Sequence, residues 1–261
     1  MKRGFVDLPD GQVHYRYDGR GEPVLLLHQS PRSSDEFLEV IPLLAKKFRV
    51  LAPDTIGYGD SYRPKWSVSI HKYATSMASF LDEVGIKYVS VVGHHTGAVV
   101  AMEMVASYPD RILRLVLSNC PYVDRAKRLK FRNRPPIDEF EIGEDGSHLI
   151  DLWNRRVSFY PKHRPDLLNR FVIDVLKAGP VAEEGHKAVA KYRMEERIKL
   201  VKCPTLVICG TDDEYAYPDM QKLAHNLEQH ASTTIRGGRV PMPNQMPVEF
   251  ARAVSKFLSG I

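Results

Sequence analysis

The chain of 261 residues is poor in cysteine and has no long apolar run. Cys120, Cys203 and Cys209 are too few and too widely spaced for a disulfide framework or a CxxC zinc site, so we expect reduced thiols. No segment approaches the roughly 20 consecutive apolar residues of a membrane span. Residues 1–11 also lack an apolar run after their basic residues. We therefore expect a cytoplasmic protein with no membrane partner.

Motifs for nucleic-acid binding are missing as well. The sequence has no zinc-finger spacing, no RNP-like aromatic motif and no Gly-rich lysine loop for phosphate, so we expect no nucleic-acid partner. The net charge is +5, and the one local concentration of basic residues is DRAKRLKFRNR at 124–134. We interpret this run as a solvated surface segment. The alternatives are steering of an anionic substrate toward a nearby cleft and a nucleic-acid site.

Short apolar runs bounded by turn residues predict buried strands. They are PVLLLH (23–28), FRVLAP (48–53), YVSVVG (88–93), ILRLVLSN (112–119) and TLVICG (205–210). Between them lie segments with helical periodicity, including DEFLEVIPLLAKKF (35–48), IHKYATSMASFLDEVG (70–85) and GAVVAMEMVASYPD (97–110). This alternation predicts an α/β protein with a mostly parallel sheet covered by helices on both faces. GFVDLPDGQVHYRY (4–17) predicts a hairpin that adds antiparallel strands at one edge.

The alternation stops after the sixth predicted strand. Residues 121–197 are polar and proline-rich at first and then helical in period, and the next strand pattern begins at Thr205. We predict that 121–197 is a helical cap inserted into a single domain spanning 1–261. A cap at this point would lie above the carboxyl ends of the strands, where open parallel sheets bind ligands.

The stretch VVGHHTGAVV (91–100) predicts a sharp turn between a strand and a helix. His95 stands at its centre, and Gly93 and Gly97 allow the backbone and the helix to approach closely. A strained turn of this kind projects its central side chain at the edge of the sheet.

Together with its flanking strand and helix, this motif resembles the nucleophile elbow of the α/β-hydrolase superfamily, and the resemblance covers almost the whole chain. LAPDTIGYGDSYRP (51–64) is similar to the family's D-x-x-G-x-G-x-S-x-x-P stretch. LLLHQSPRSSDEF (25–37) resembles the strand-end loop that contributes an oxyanion-hole amide, which implies Ser30 and, after the elbow centre, Thr96 as donors. TLVICGTDDEYAYP (205–218) resembles the strand-plus-acid segment, which implies Asp213 as the acid. The resemblance implies the α/β-hydrolase fold.

Two positions depart from the family. His95 stands where the nucleophile, usually Ser, Asp or Cys, would be. Aligning NQMPVEFARAVSKFL (244–258) with the family's terminal E-x-P-e-x-F segment puts Val240 at the catalytic-histidine position, and no histidine follows His230. The ordinary acyl-enzyme route through a histidine-activated serine therefore cannot run in this chain.

His95 has two interpretations. In the first, its imidazole leans toward Asp213, which fixes the tautomer, and the other ring nitrogen takes a proton from water or attacks the substrate. In the second, the elbow is vestigial and the pocket binds a ligand without turnover. We favour a working histidine, and a base acting on water over a covalent acyl-imidazole, since no second base is evident to remove such an adduct.

Further candidates for substrate contact are His28, Gln29, Cys120 and Trp153, each with packing as its alternative. The cap histidines His148, His163 and His186 are interpreted as surface residues, with a position reaching down into the pocket as the alternative for each.

The leading hypothesis is a hydrolase of a small ester, lactone or related carbonyl compound. The alternatives are a ligand-binding pseudo-hydrolase and a cofactor-free lyase or isomerase. No metal and no organic cofactor is implied, and the expected partner is a small-molecule substrate. The oligomeric state is open, with a homodimer as one option.

Overall fold

The computed structural model of the chain describes residues 1–132 and 134–260. In these ranges eight strands form one sheet in the order β1-β2-β4-β3-β5-β6-β7-β8. The strands are β1 (Lys2–Leu8), β2 (Gly11–Asp18), β3 (Pro23–Leu27), β4 (Arg49–Pro53), β5 (Val89–His94), β6 (Ile112–Ser118), β7 (Thr205–Gly210) and β8 (His230–Ile235). The pairs β1–β2 and β2–β4 are antiparallel, and the other neighbours are parallel. The predicted parallel sheet with a hairpin at one edge is confirmed.

The α-helices of the described residues are α1 (Ile41–Leu44), α2 (Ile70–Glu83), α3 (Thr96–Ser107), α4 (Arg125–Arg132), α5 (Ser147–Arg156), α6 (Pro165–Ala178), α7 (Glu184–Lys191), α8 (Met194–Arg197), α9 (Met220–His225), α10 (Met242–Gln245) and α11 (Pro247–Leu258). None of these helices is both long and apolar enough to cross a lipid bilayer.

Helices cover both faces of the sheet because the strand side chains alternate between two apolar layers. Leu25 and Leu27 of β3 pack in the layer that contains α2 and α3. Val24 and Leu26 of the same strand pack in the opposite layer with α1 and α11. Side chains buried this completely contribute about 1.5–3 kcal/mol each to folding. The continuous apolar runs of the sequence are therefore strands buried on both sides, as predicted.

One predicted helix is wrong in extent. Residues 35–48 do not form a continuous helix but a 3-10 turn at Ser34–Phe37 followed by the short α1. Pro42 is the second residue of α1. If a helix continued through Pro42, the proline would supply no N–H for a backbone hydrogen bond, and its ring would lie against the carbonyl of Leu38. The helix can therefore begin near Pro42 but cannot continue across it.

The edge strand β8 was not predicted from the sequence. Its residues HASTTI are mostly exposed, so they carry no apolar run. The strand is held by its parallel pairing with β7, from Thr205 opposite His230 to Gly210 opposite Ile235. Backbone pairing at an edge leaves little trace in side-chain hydropathy.

The segment 121–197, called the cap below, lies between β6 and β7. Its described residues, 121–132 and 134–197, contain the helices α4 to α8 and 3-10 turns, and no strand. Cap side chains and the residues that follow β3, β5 and β7 line a common cavity. The cap therefore faces the carboxyl edge of the parallel strands.

Candidate active site

His95 joins β5 to α3 in a strained backbone conformation, with φ 47° and ψ −112°. Positive φ is uncommon outside glycine, and in the described residues only His95 and Asn119 show it among non-glycine residues. A Cβ on Gly93 would lie 2.2 Å from the carbonyl oxygen of Gly97, and one on Gly97 would lie 2.0 Å from that of Leu27. Both flanking positions therefore require glycine, and the predicted sharp turn is confirmed.

The ring of His95 extends from this turn toward the loop after β7. Its Nε2 lies 2.8 Å from Oδ2 of Asp213, and the side chains are 15% and 0% exposed. The Nε2–H bond does not point along this line closely enough to form a hydrogen bond. The two groups are therefore at ion-pair distance without an aligned hydrogen bond.

Asp213 is held by three further donors. Nδ2 of Asn119 donates to Oδ2 at 2.6 Å, and the amides of Tyr215 and Ala216 each donate to Oδ1 at 3.0 Å. Burial raises the pKa of Asp213, but the neighbouring His95 ring and the amide of Ala216 outweigh it and bring the pKa to about 2. An ionised carboxylate beside Nε2 favours the tautomer with its proton on Nε2, which leaves the lone pair on Nδ1.

Asn119 is a site residue that the sequence analysis did not single out. Besides Asp213, its Nδ2 reaches the carbonyl of Arg239 at 3.2 Å, and its Oδ1 accepts the amide of Gly210 at 3.0 Å. It thereby ties the end of β6 to the segments that follow β7 and β8. Its position directly after a buried strand was the available signal.

His94 and Val240 pack behind the elbow. Nε2 of His94 lies 2.7 Å from the carbonyl oxygen of Val240, and Nδ1 lies 2.9 Å from Oγ of Ser118. Burial lowers the pKa of His94 to about 4, so its ring is neutral at neutral pH. The aliphatic side chain of Val240 lines the cavity beside His95.

Both predicted oxyanion residues, Ser30 and Thr96, line the cavity. Among the described residues no acceptor is bonded to either backbone N–H; Thr96 opens α3, where amides have no intrahelical acceptor. Gln29 also lines the cavity, but its backbone N–H and its Nε2 donate to Glu36 at 2.9 and 2.6 Å. The free donors at this point are therefore the amides of Ser30 and Thr96.

The other predicted contact residues do not reach the cavity lining. Both ring nitrogens of His28 are engaged, by the carbonyl of Gln29 and the amide of Thr55, each at 2.8 Å. Cys120 is buried, and burial raises the pKa of its thiol well above its ordinary value. Trp153 packs against the apolar layer that contains α2 and α3.

The cavity above His95 has a volume of about 850 Å³. Its described lining contains one acidic residue, Glu183, and many basic ones, namely Arg125, Lys127, Arg128, Arg132, Arg134, Arg156, Lys187, Lys191 and Arg193. Some pair with nearby carboxylates. Among the described residues Arg125, Arg132, Arg134 and Lys191 have no carboxylate partner. The basic run 124–134, interpreted as plain surface, therefore borders the cavity through α4.

His186 also lines the cavity, which agrees with the alternative position in the pocket and not with the favoured one on the surface. Its Nε2 lies 2.8 Å from Oδ2 of the fully buried Asp138. Arg156 donates from Nε and Nη2 to the same carboxylate at 2.9 and 2.5 Å. Glu183 accepts the amide of Asp138 at 2.9 Å and so fixes the backbone of this segment.

In the part of the chain that the structure describes, two groups of side chains have ligand atoms close enough to hold a cation: His14, Asp54 and Asp60, and Asp138, Glu183 and His186. In the first, Asp54 already accepts hydrogen bonds from His14 and from the amides of Ser34 and Asp60. In the second, the guanidinium of Arg156 covers the carboxylate. Both fit internal ion-pair clusters better than metal sites, because their acceptor atoms are already used.

Comparison with known proteins places these features in context. A family described as "alpha/beta hydrolase fold" matches residues 22–234. The chain is 32% identical over 116 residues to haloalkane dehalogenase 2 of Mycobacterium tuberculosis, which covers 44% of this chain and 41% of that protein. It is 37% identical over 106 residues to the soluble epoxide hydrolase of a Corynebacterium species, which covers 41% and 37%. Each match thus spans well under half of the curated relative.

Among solved structures, the enol-lactonase from Burkholderia xenovorans superposes with a TM-score of 0.82 over 98% of this chain and all of that chain. The sequence identity is 20%, so this likeness shows the fold.

Proposed function

The chain belongs to the α/β-hydrolase fold family, and on this premise we propose that it hydrolyses a small ester, lactone or related carbonyl compound at His95. The observation that carries the proposal is the 2.8 Å approach of His95 Nε2 to the buried Asp213, in a cavity that also exposes Ser30 and Thr96. In this proposal His95 replaces the usual nucleophile and Val240 replaces the usual histidine.

In the proposed mechanism the ionised Asp213 orients the ring and keeps its lone pair on Nδ1. That nitrogen takes one proton from a water molecule while the water oxygen bonds to the substrate's carbonyl carbon. The amides of Ser30 and Thr96 donate to the resulting oxyanion, a contribution of about 3 kcal/mol each to the transition state. Hydrolysis is complete when the bond to the leaving-group oxygen breaks, that oxygen takes up one proton, and Nδ1 of His95 returns its proton to cavity water.

Water is the nucleophile in this proposal. Direct attack by Nδ1 of His95 would form an acyl-imidazole, in which the same ring could no longer act as the base for its own removal. Val240, at the position of the family's catalytic histidine, is aliphatic and offers no replacement base at that position. Intact-protein mass spectrometry after rapid quenching separates the two routes, because only the covalent route adds the acyl mass to the protein.

The charge of the cavity supports a substrate that carries a negative group. Arg125, Arg132, Arg134 and Lys191 border it without a carboxylate partner among the described residues. Side chains of one sign around a cleft raise the local concentration of oppositely charged ligands and speed their association. An ester or lactone with a carboxylate elsewhere in the molecule fits this arrangement.

The test is a screen of small esters and lactones, neutral and anionic, with the wild type, His95→Ala and the matched control His225→Ala. His225 is exposed on α9 and does not line the cavity. We expect turnover that is lost in His95→Ala and kept in His225→Ala.

Equal rates in all three proteins would refute catalysis at His95. Ligand binding without any turnover would instead favour the pseudo-hydrolase alternative, and proton exchange into a carbonyl substrate without hydrolysis would favour a lyase or isomerase.

A further inference from the structure

The side chain of His186 contacts a buried carboxylate and also lines the cavity. Its Nε2 is 2.8 Å from Oδ2 of Asp138, whose side chain has no exposed surface. Burial raises the pKa of Asp138, but the charge of Arg156 and the bond to His186 lower it below its usual range, so the carboxylate is ionised. An ionised acceptor holds a proton on Nε2, which leaves Nδ1 for the cavity. Among the described residues Nδ1 has no hydrogen-bond partner, and it is not enclosed.

The residue before His186, Gly185, packs on the predicted oxyanion loop. A Cβ on Gly185 would lie 1.9 Å from Oγ of Ser30 and 2.7 Å from the hydroxyl of Tyr58. The amide of Gly185 also donates to that hydroxyl at 2.8 Å. The first turn of α7 is therefore packed on the loop that carries the Ser30 amide, and His186 and His95 line the same cavity.

We propose that His186, held by Asp138, is a second proton-transfer residue of this site and protonates the leaving-group oxygen. The inference rests on the hydrolysis at His95 proposed above. It adds a second histidine–carboxylate pair from the cap to the pair formed by His95 and Asp213.

In this proposal His186 begins with protons on both ring nitrogens. Oδ2 of Asp138 lies 2.8 Å from its Nε2, and Nη2 of Arg156, which also pairs with Asp138, lies 3.4 Å from the same nitrogen. His95 takes one proton from water as the water oxygen bonds to the carbonyl carbon. When the bond from that carbon to the leaving oxygen breaks, Nδ1 of His186 supplies the proton that makes it an alcohol. The proton on His95 then passes through cavity water to His186, which restores both rings.

A purely structural role is the alternative, because the contact between His186 and Asp138 also joins two parts of the cap. The variant His186→Gln separates the two roles. The glutamine amide reaches about as far as Nε2 and can donate to Asp138, but it cannot give up a proton. His225→Gln is the matched control, because His225 is exposed at the end of α9.

The experiment compares ethyl and 4-nitrophenyl esters of one acid, taken from the screen above. An ethoxide leaving group needs protonation, whereas 4-nitrophenolate leaves as the anion. We expect His186→Gln to lower kcat/KM for the ethyl ester by about 100-fold or more, a typical effect of losing a general acid, and to change the 4-nitrophenyl ester little. Melting temperatures establish that the variant is folded.

Equal losses with both esters, or no loss with either, would overturn the role of His186. If His95→Ala abolishes turnover while His186→Gln leaves the ratio of the two esters unchanged, this inference fails alone. Equal rates for wild type and His95→Ala would instead refute the proposed hydrolysis at His95, on which this inference depends. A second measurement needs no variant: wild-type kcat/KM across alcohols of rising pKa should fall only shallowly, and a steep fall would contradict protonation of the leaving group.

Discussion

Replacing Asp213 with asparagine removes one charge from the pair with His95 and nearly preserves the side-chain shape. The Oδ1 acceptor for the amides of Tyr215 and Ala216 can stay, but an NH₂ group then replaces the oxygen that faces Asn119 and His95. A donor in that position favours the tautomer with a bare Nε2 and a proton on Nδ1. The nitrogen that faces the substrate could then no longer accept a proton from water.

The expected loss of activity is large. Holding a catalytic histidine in the wrong tautomer costs about 10⁴-fold in kcat. Stability should fall too, because the pKa of Asp213 is lowered from 3.8 to about 2, which corresponds to about 2 kcal/mol favouring the folded, ionised form. A lowered folded-state pKa stabilises above pH 3.8 and ceases to do so as the pH falls through 2. The difference between wild type and variant should therefore shrink between about pH 4 and pH 2.

The assay pairs Asp213→Asn with Asp212→Asn, whose side chain is exposed one residue earlier. Ester hydrolysis gives kcat/KM, and urea titrations at several pH values give the free energy of unfolding. We expect Asp212→Asn to match the wild type in both. If the two variants lose the same activity, Asp213 has no special relation to His95 and the proposed mechanism is refuted.

Three further outcomes are expected. Gly185→Ala should lower the free energy of unfolding by about 1–3 kcal/mol through crowding against Ser30, and a urea midpoint equal to wild type would contradict this packing. Arg134→Glu should reduce kcat/KM for an anionic ester more than for a neutral one, with a gap that narrows at high salt; the exposed Arg252→Glu should show no such gap. Since burial lowers the pKa of His94 from 6.5 to about 4, the wild type should lose up to about 3 kcal/mol of unfolding free energy as the pH falls across that interval. His94→Gln should flatten this pH dependence, and identical curves for the two proteins would contradict it.

The central sheet could be predicted because its strands are buried on both faces. Runs such as 205–210 are apolar without interruption, and β7 has those same bounds. The sharp turn at His95 could also be predicted, because Gly93 and Gly97 approach the neighbouring backbone too closely for any side chain. Where burial does not determine structure the prediction failed, as in the exposed edge strand β8 and in the helix interrupted at Pro42.

Only the part of the site that follows the strands of the sheet could be predicted from the sequence. His95 and Asp213 follow strands whose carboxyl ends must meet at one edge, so their proximity follows from topology. No comparable rule of topology predicts which residues of the cap lie close together. His186 and Asp138 are 48 residues apart in the chain, and only the folded cap brings them together. Trp153, expected near a ligand, is instead partly buried against the hydrophobic core. The catalytic roles themselves stay predictions.

The contact of Gly185 with Ser30 has a consequence for engineering the substrate range of this protein. The cap is an attractive unit to exchange with a relative, because it lies between two strands and supplies much of the cavity lining. In this protein α7 packs tightly on the loop after β3. A cap transplanted from a relative would therefore collide with that loop unless its residue at position 185 is also glycine. Chimeras should therefore move the loop and the cap as one module.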